Sequence, residues 1–198
     1  SDPRSNSNYI AMTSIDGGSD WNVSIWNSTA WGACPSADTA METNAARSAD
    51  VAWEKDSGRC LIVAGDANSR EISFIAWSES LGWHDPTINA AATPSAAPKT
   101  ASGTLGLLGD INWIGLVSDP NANQIICYVI DQASDLTTIN WGGSGWSTKA
   151  IQETTVTDTA RECAAIALDK HDRIPPYAVD NQSGDDIWRI ANNGSYNV

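Results

Sequence analysis

Residues 118–146 read SDPNANQIICYVIDQASDLTTINWGGSGW, and residues 1–31 read SDPRSNSNYIAMTSIDGGSDWNVSIWNSTAW. One stretch is a near copy of the other. Ser118, Asp119 and Pro120 match Ser1, Asp2 and Pro3. Asp131 and Asp135 match Asp16 and Asp20, and Trp141 and Trp146 match Trp26 and Trp31. Self-similarity of this kind marks a repeat architecture and has to be read before any single element.

A finer period lies between the copies. An apolar run, Ile111 to Val117, precedes the second copy. A further unit holds DVAWEKDSG (50–58), Cys60 to Asp66, Glu71 to Trp77, and a closing Trp83. A last unit holds Cys163 to Asp169, Ile174 to Asp180, and Asp186 to Trp188, with Tyr196 in the closing position. The chain therefore reads as four units, approximately 1–35, 47–88, 105–148 and 160–198, each with three strands and the start of a fourth. The runs are short and rich in β-branched and aromatic residues, and Gly, Asn, Asp and Ser bound them. Trp21, Val23 and Ile25 alternate with Asn22, Ser24 and Trp26, as a strand with two distinct faces requires. Residues 89–104, NAAATPSAAPKTASGT, form a Pro/Ala/Ser/Thr loop between the second and third units. Four-strand antiparallel units at this period predict an all-β, β-propeller-like fold. A β-sandwich is the alternative, because strand spacing alone fits both.

Composition narrows the function. The 198 residues carry 11 basic and 24 acidic side chains, a net charge of -13. Nucleic-acid binding rests on Lys and Arg neutralising phosphates, so a nucleic-acid partner is not expected. No apolar run is long enough to span a bilayer, so no membrane insertion is expected. Four cysteines, Cys34, Cys60, Cys127 and Cys163, show no zinc spacing. An even count in an acidic, Lys-poor chain predicts one or two disulfides of unassigned pairing and an extracellular or cell-surface location. Four Asn-x-Ser/Thr sequons, at Asn22, Asn27, Asn181 and Asn193, are candidate glycosylation sites in that setting.

The frame carried by DVAWEKDSG (50–58), Gly65-Asp66, SDPNANQ (118–124), Asp131, Asp135-Leu136 and the Trp141–Trp146 stretch resembles the Trp-rich, propeller-like repeats of bacterial extracellular surface proteins. That resemblance implies no defined activity. Ser14-Ile-Asp16-Gly-Gly18-Ser-Asp20-Trp21 also resembles the Asp-box hairpin of sialidase-type propellers, with Asp20 in place of its Thr. The box is structural in that family, so it implies a propeller and not an enzyme.

Catalytic groups are sparse. His84 precedes Asp85 in a turn before Pro86, with no nucleophile elbow nearby, and reads as a surface turn. His171 reads as a solvated loop residue, and Arg47 and Arg161 occupy matching repeat positions, which suits a structural role. A glycoside hydrolase, needing two carboxylates about a sugar, is a distant third reading. No cofactor is expected. Calcium is the one metal this pattern suits, on Asp16, Asp20, Asp131 and Asp135, because loop carboxylates suit a hard cation. Turn capping by the same carboxylates is the competing explanation.

Two functions remain. The first unit lacks an opening strand, and an unpaired strand edge invites another strand. The first expectation is therefore an extracellular structural protein, a subunit of a filament or surface array. Copies of the chain would pair head to tail through Ser1 to Tyr9 and Trp188 to Val198. The alternative is a carbohydrate-binding propeller whose partners are glycans, with Trp31, Trp83 and Trp146 stacking on sugar rings. Trp side chains filling the gaps between units would look the same in sequence.

Overall fold

A computed structural model describes residues 1–34, 40–42, 47–87, 99–100, 105–107, 109–156, 164–168, 176–179 and 187–189. Its strands form four antiparallel meanders. The first sheet is β1 (Ile10–Ile15), β2 (Trp21–Trp26) and β3 (Trp31–Ala33). The second is β4 (Ala49–Trp53), β5 (Cys60–Asp66), β6 (Glu71–Ser78) and β7 (Gly82–His84). A short β8 (Lys99–Thr100) pairs with β6, so part of the 89–104 segment extends the sheet rather than looping free of it. The third is β9 (Ile111–Ser118), β10 (Ile125–Asp131), β11 (Leu136–Trp141) and β12 (Ala150–Glu153). The fourth is β13 (Ala164–Ile166), β14 (Pro176–Val179) and β15 (Ile187–Arg189).

The sheets pack face to face in chain order, and strand alternation makes this work. Every residue of β5 is buried, because β5 has a sheet on either side. Cys60, Ile62 and Ala64 pack with Trp21, Val23 and Ile25 of the first sheet. Leu61 and Val63, on the other face, pack with Ile125, Cys127 and Val129 of the third. Tyr128 and Ile130 turn the opposite way and meet Ala164 and Ile166 of the fourth. Four separate sheets replace the two layers a sandwich would need, so the sandwich alternative falls.

The inner strands of the second and third sheets lie side by side and parallel. Arg47 bridges to Trp113 in parallel register, and the Ile114 amide donates to the Arg47 carbonyl at 2.9 Å. The Leu116 amide donates to Asp50 Oδ2 at 2.8 Å, tying β9 to β4. Parallel inner strands with sheets fanning outward are the propeller arrangement.

One inner-strand glycine is dictated by packing. The buried Tyr128 ring lies across Gly115, where an added Cβ would fall inside the ring. Gly115→Ala should therefore destabilise the chain by about 1–3 kcal/mol, the usual cost of overpacking, as read by denaturant unfolding. Unchanged stability would show that the ring can swing aside.

No disulfide joins Cys34, Cys60 or Cys127, and Cys163 lies outside the described residues. The disulfide expectation is corrected for the two buried thiols. Cys60 faces the space between the first and second sheets and Cys127 the space between the second and third, so alternation keeps them apart. Burial pushes both thiols well above their ordinary pKa, so they behave as small apolar core groups.

Candidate functional site

Each complete sheet has two distinct ends. At one end lie the hairpins after Asp16, Asp66 and Asp131. At the other lie the turns after the inner strands and the paired tryptophans. The Trp pairs face each other across adjacent strands: Trp26 with Trp31, Trp77 with Trp83, and Trp141 with Trp146.

The Asp end is built by turn capping. Asp16 Oδ1 accepts the amides of Gly18 at 2.8 Å and Asp20 at 3.1 Å, and these bonds hold its carboxyl below its ordinary pKa. Asp131 Oδ1 repeats the pattern with the amides of Ala133 at 2.9 Å and Asp135 at 3.1 Å. Its Oδ2 accepts the Gly109 amide at 3.1 Å. Ser19 and Ser134 take the left-handed conformation, with φ of 68° and 71°, that closes each loop. Asp135 is buried, and burial followed by the Asp131 charge raises its pKa. Among the described residues no group of three or more His, Cys, Asp or Glu side chains could hold a metal ion. The Asp16 and Asp131 carboxylates each cap their own loop in this way. A chelator should leave the melting temperature unchanged. A rise in that temperature on adding calcium would assign the ion to these loops.

The Trp end differs from one gap to the next. Between the second and third sheets it is closed. Glu54, next after β4, lies fully buried and accepts the Trp141 indole N–H at 2.9 Å. Arg59 reaches the same carboxylate, with Nε at 3.0 Å, and also donates to the Gly143 carbonyl. Its guanidinium lies over the Trp141 ring, 5.7 Å from the centroid. Phe74 packs 5.8 Å from Trp141 and 5.7 Å from Trp146. Trp146 is only half-buried, yet its indole N–H is buried and meets no acceptor among the described residues.

Between the first and second sheets the Trp end is partly open. Asp2, equivalent to Glu54, is buried beneath Arg4, whose Nη2 donates to Asp2 Oδ2 at 2.6 Å and whose Nε lies 3.0 Å from the same oxygen. Burial alone would raise the Asp2 carboxyl, but hydrogen bonds from Arg4 and Ser7 outweigh it and hold the group below its ordinary range. The Arg4 side chain stays 29% exposed and spreads over Gly58, in the turn of the second sheet. A Cβ there would occupy the place of the guanidinium, and the φ of +69° itself favours glycine. The same gap holds Tyr9, 4.7 Å from Trp77, and Trp83, all half-buried. Burial, then a hydrogen bond to the exposed Glu79 carboxylate, raises the Tyr9 phenol. The gap thus gathers three aromatic rings, a fixed guanidinium and an exposed carboxylate.

The structure separates the three tryptophans singled out in the sequence. Trp83 lines the open gap and Trp146 the closed one. Trp31 is 50% exposed on the outer face of the first sheet and lies in neither. Arg4, Tyr9, Trp77 and Glu79 were not anticipated. The acids at Asp2, Glu54 and Asp119 gave the available signal, since each directly follows an inner strand or its equivalent place. Asp119 turns inward on its own loop, accepting the amides of Asn121 at 2.6 Å and Ala122 at 3.2 Å.

His84 is buried, not in a surface turn, and its Nδ1 sits 2.9 Å from the Gly82 carbonyl. Burial lowers its pKa. Asp85 Oδ1 accepts both the amide and hydroxyl of Thr87, at 2.9 and 2.7 Å. Asn22 and Asn27 are exposed, while Asn181, Asn193, Arg161 and His171 lie outside the described residues. No helix among the described residues is long and apolar enough to cross a membrane.

No family model and no curated protein matches the chain. Solved structures do. The BP39L lectin from Burkholderia pseudomallei superposes with a TM-score of 0.62 at 14% identity, over 98% of this chain and 52% of that one. The Aleuria aurantia lectin, described as a six-bladed β-propeller with a novel fucose recognition mode, gives 0.47 at 15% identity, over 93% and 61%. The chain thus spans about half the length of the Burkholderia lectin. At such identity the likeness is one of fold, and with the four stacked meanders it makes this chain an all-β, β-propeller-like protein.

Proposed function

We propose that the chain binds carbohydrate in the gap between its first and second sheets. The observation that carries this is the Arg4 guanidinium, fixed by Asp2 and partly exposed at the gap that also holds the rings of Tyr9, Trp77 and Trp83. Sugars present apolar C–H faces that stack on aromatic rings and hydroxyls that accept from a guanidinium or donate to a carboxylate. Glu79 supplies the carboxylate. The fold likeness to a lectin is consistent with this use. A net charge of -13 favours neutral glycans over sulfated or sialylated ones. Binding needs none of the convergent acid, base and nucleophile that hydrolysis would require.

The test is a glycan array probed with the labelled chain, followed by calorimetric titration of the best neutral sugar. Saturable binding that Trp83→Ala weakens supports the proposal. An array on which no sugar binds above background would sink it. An extracellular or cell-surface location belongs to the same proposal, with Asn22 and Asn27 as acceptors exposed for glycosylation.

A further inference from the structure

The open gap holds one more polar group. Trp53, the last residue of β4, stands opposite Cys60 of β5. Cys60 stands opposite Trp77 of β6, and Trp77 opposite Trp83 of β7. Residues directly opposite in antiparallel strands share a face. The four therefore form one row across the second sheet, on the face turned to the first. Trp53 is the inner end of that row and Trp83 the outer end. The Trp53 and Trp77 rings meet nearly edge to face, 6.0 Å apart at 77°, and Tyr9 packs on Trp77 from the first sheet. Arg4 lies over Gly58, in the turn that directly follows Trp53.

Trp53 is 4% exposed, and its indole N–H is buried with no acceptor among the described residues. Trp21 and Trp141 are buried at least as deeply, and their N–H groups are met. Trp21 donates to Thr13 Oγ1 at 2.7 Å and Trp141 to Glu54 Oε1 at 2.9 Å. A buried donor left unmet costs the full desolvation of the group. An enclosed N–H without a protein acceptor therefore points to an acceptor that arrives from outside. The Trp146 N–H is also unmet, but Arg59 and Phe74 close the gap in front of it. The gap in front of Trp53 is the open one, bordered by half-buried rings and the partly exposed Arg4. The repeat makes the position distinctive. In the third sheet the same row reads Ser118, Ile125, Trp141, Trp146, so a serine holds the place of Trp53.

We infer that the Trp53 N–H donates to an oxygen of the sugar bound in this gap. The inference rests on the carbohydrate reading and adds to it a residue that recognises one sugar atom, where the stacking rings recognise a sugar face. An indole N–H donates and cannot accept, and the same holds for the Arg4 guanidinium. The inner end of the gap therefore offers donors, while Glu79, in the hairpin of β6 and β7, offers an acceptor. A neutral sugar fits that order with a ring or hydroxyl oxygen on its inserted edge. An amino sugar with its ammonium on that edge does not, because an ammonium group has no lone pair to give.

Heteronuclear NMR of the indole N–H groups tests this on the wild-type chain. The ten tryptophans each give one such signal. That of Trp53 is assigned from its through-space neighbours in the wild type and from its loss in Trp53→Phe. The probes are methyl glycosides of neutral hexoses, deoxyhexoses and N-acetylhexosamines. Saturation with the glycoside that binds most tightly should move the Trp53 proton downfield, the direction a new hydrogen bond imposes. Trp53→Phe should weaken that glycoside about 2- to 10-fold, the contribution of one neutral hydrogen bond. The same variant should cost less stability than Trp141→Phe, because it removes a donor that no protein group accepts, whereas Trp141→Phe leaves Glu54 a partner short. A glycoside that binds and shifts the Trp77 or Trp83 signal while Trp53 stays unmoved overturns the inference and keeps the carbohydrate reading. Full affinity in Trp53→Phe does the same. An equal stability cost for the two Phe variants also overturns it, since a protein acceptor would then be meeting the Trp53 N–H. If no glycoside moves any indole signal, the carbohydrate reading falls and takes this inference with it.

Discussion

Trp141→Ala should be the most damaging single truncation in the described part of this chain, lowering stability by roughly 3–5 kcal/mol. Trp141 is fully buried between the second and third sheets and touches Phe74, Trp146 and Arg59. Truncation opens a cavity in a wall formed by two rigid sheets, which cannot collapse to fill it. It also removes the indole N–H from Glu54, leaving a buried carboxylate oxygen with one partner fewer. For a chain of this length the melting temperature should fall by roughly 10 °C. Trp141→Phe separates the two losses. It keeps an aromatic ring beside Phe74 but cannot donate to Glu54, so its cost should be about 1–3 kcal/mol, that of an unsatisfied buried acceptor. Denaturant unfolding followed by tryptophan fluorescence reads both. If Trp141→Phe costs as much as Trp141→Ala, the Glu54 hydrogen bond and not the packing holds the two sheets together.

What the sequence made legible was local. The strand runs, their alternation and the hairpin residues are short-range properties, and the repeat multiplied the signal. The opposed Trp pairs were visible as brackets around each hairpin. What it hid depends on neighbours distant along the chain. Trp31 and Trp146 occupy the same repeat position, yet one is half exposed and the other packs on Phe74, because among the described residues only the second has a sheet in front of it. The Asp16 and Asp131 carboxylates show the same limit, since the backbone amides they accept are visible only in the hydrogen-bond geometry. Cysteine parity suggested disulfides, while strand alternation places Cys60 and Cys127 in different gaps. Arg4 could not be singled out at all. An Arg in a Ser- and Asn-rich loop looks solvated until a glycine of another sheet is found beneath its guanidinium.

Arg4→Ala should lower sugar affinity about 10- to 100-fold, since a hydrogen bond from a charged donor contributes roughly 1.5–3 kcal/mol. The variant also uncovers Asp2. In the wild-type fold Arg4 and Ser7 hold that carboxyl below its ordinary pKa against the pull of burial. A depressed folded pKa contributes stability above the ordinary carboxylate range, and that contribution fades as pH falls through the folded value. Without Arg4, burial is opposed less, the folded pKa moves upward, and the acid side of the stability profile should flatten. Loss of binding could then be blamed on a displaced loop. Arg4→Lys resolves this. Lysine keeps the positive charge near Asp2 and most of the pH profile, but an ammonium cannot reproduce a planar fork of donors lying across Gly58. Affinity should still fall about tenfold. Arg70→Gln is the control, because Arg70 is exposed at the Asp end and pairs with Asp110 at 3.4 Å. Titration calorimetry at neutral pH, beside thermal unfolding at several pH values, reads all three variants. If Arg4→Lys binds as the wild type does, Arg4 acts by charge alone, and the aromatic rings carry the specificity of the gap. If Arg4→Ala and Arg70→Gln weaken binding equally, the sugar does not sit between the first and second sheets.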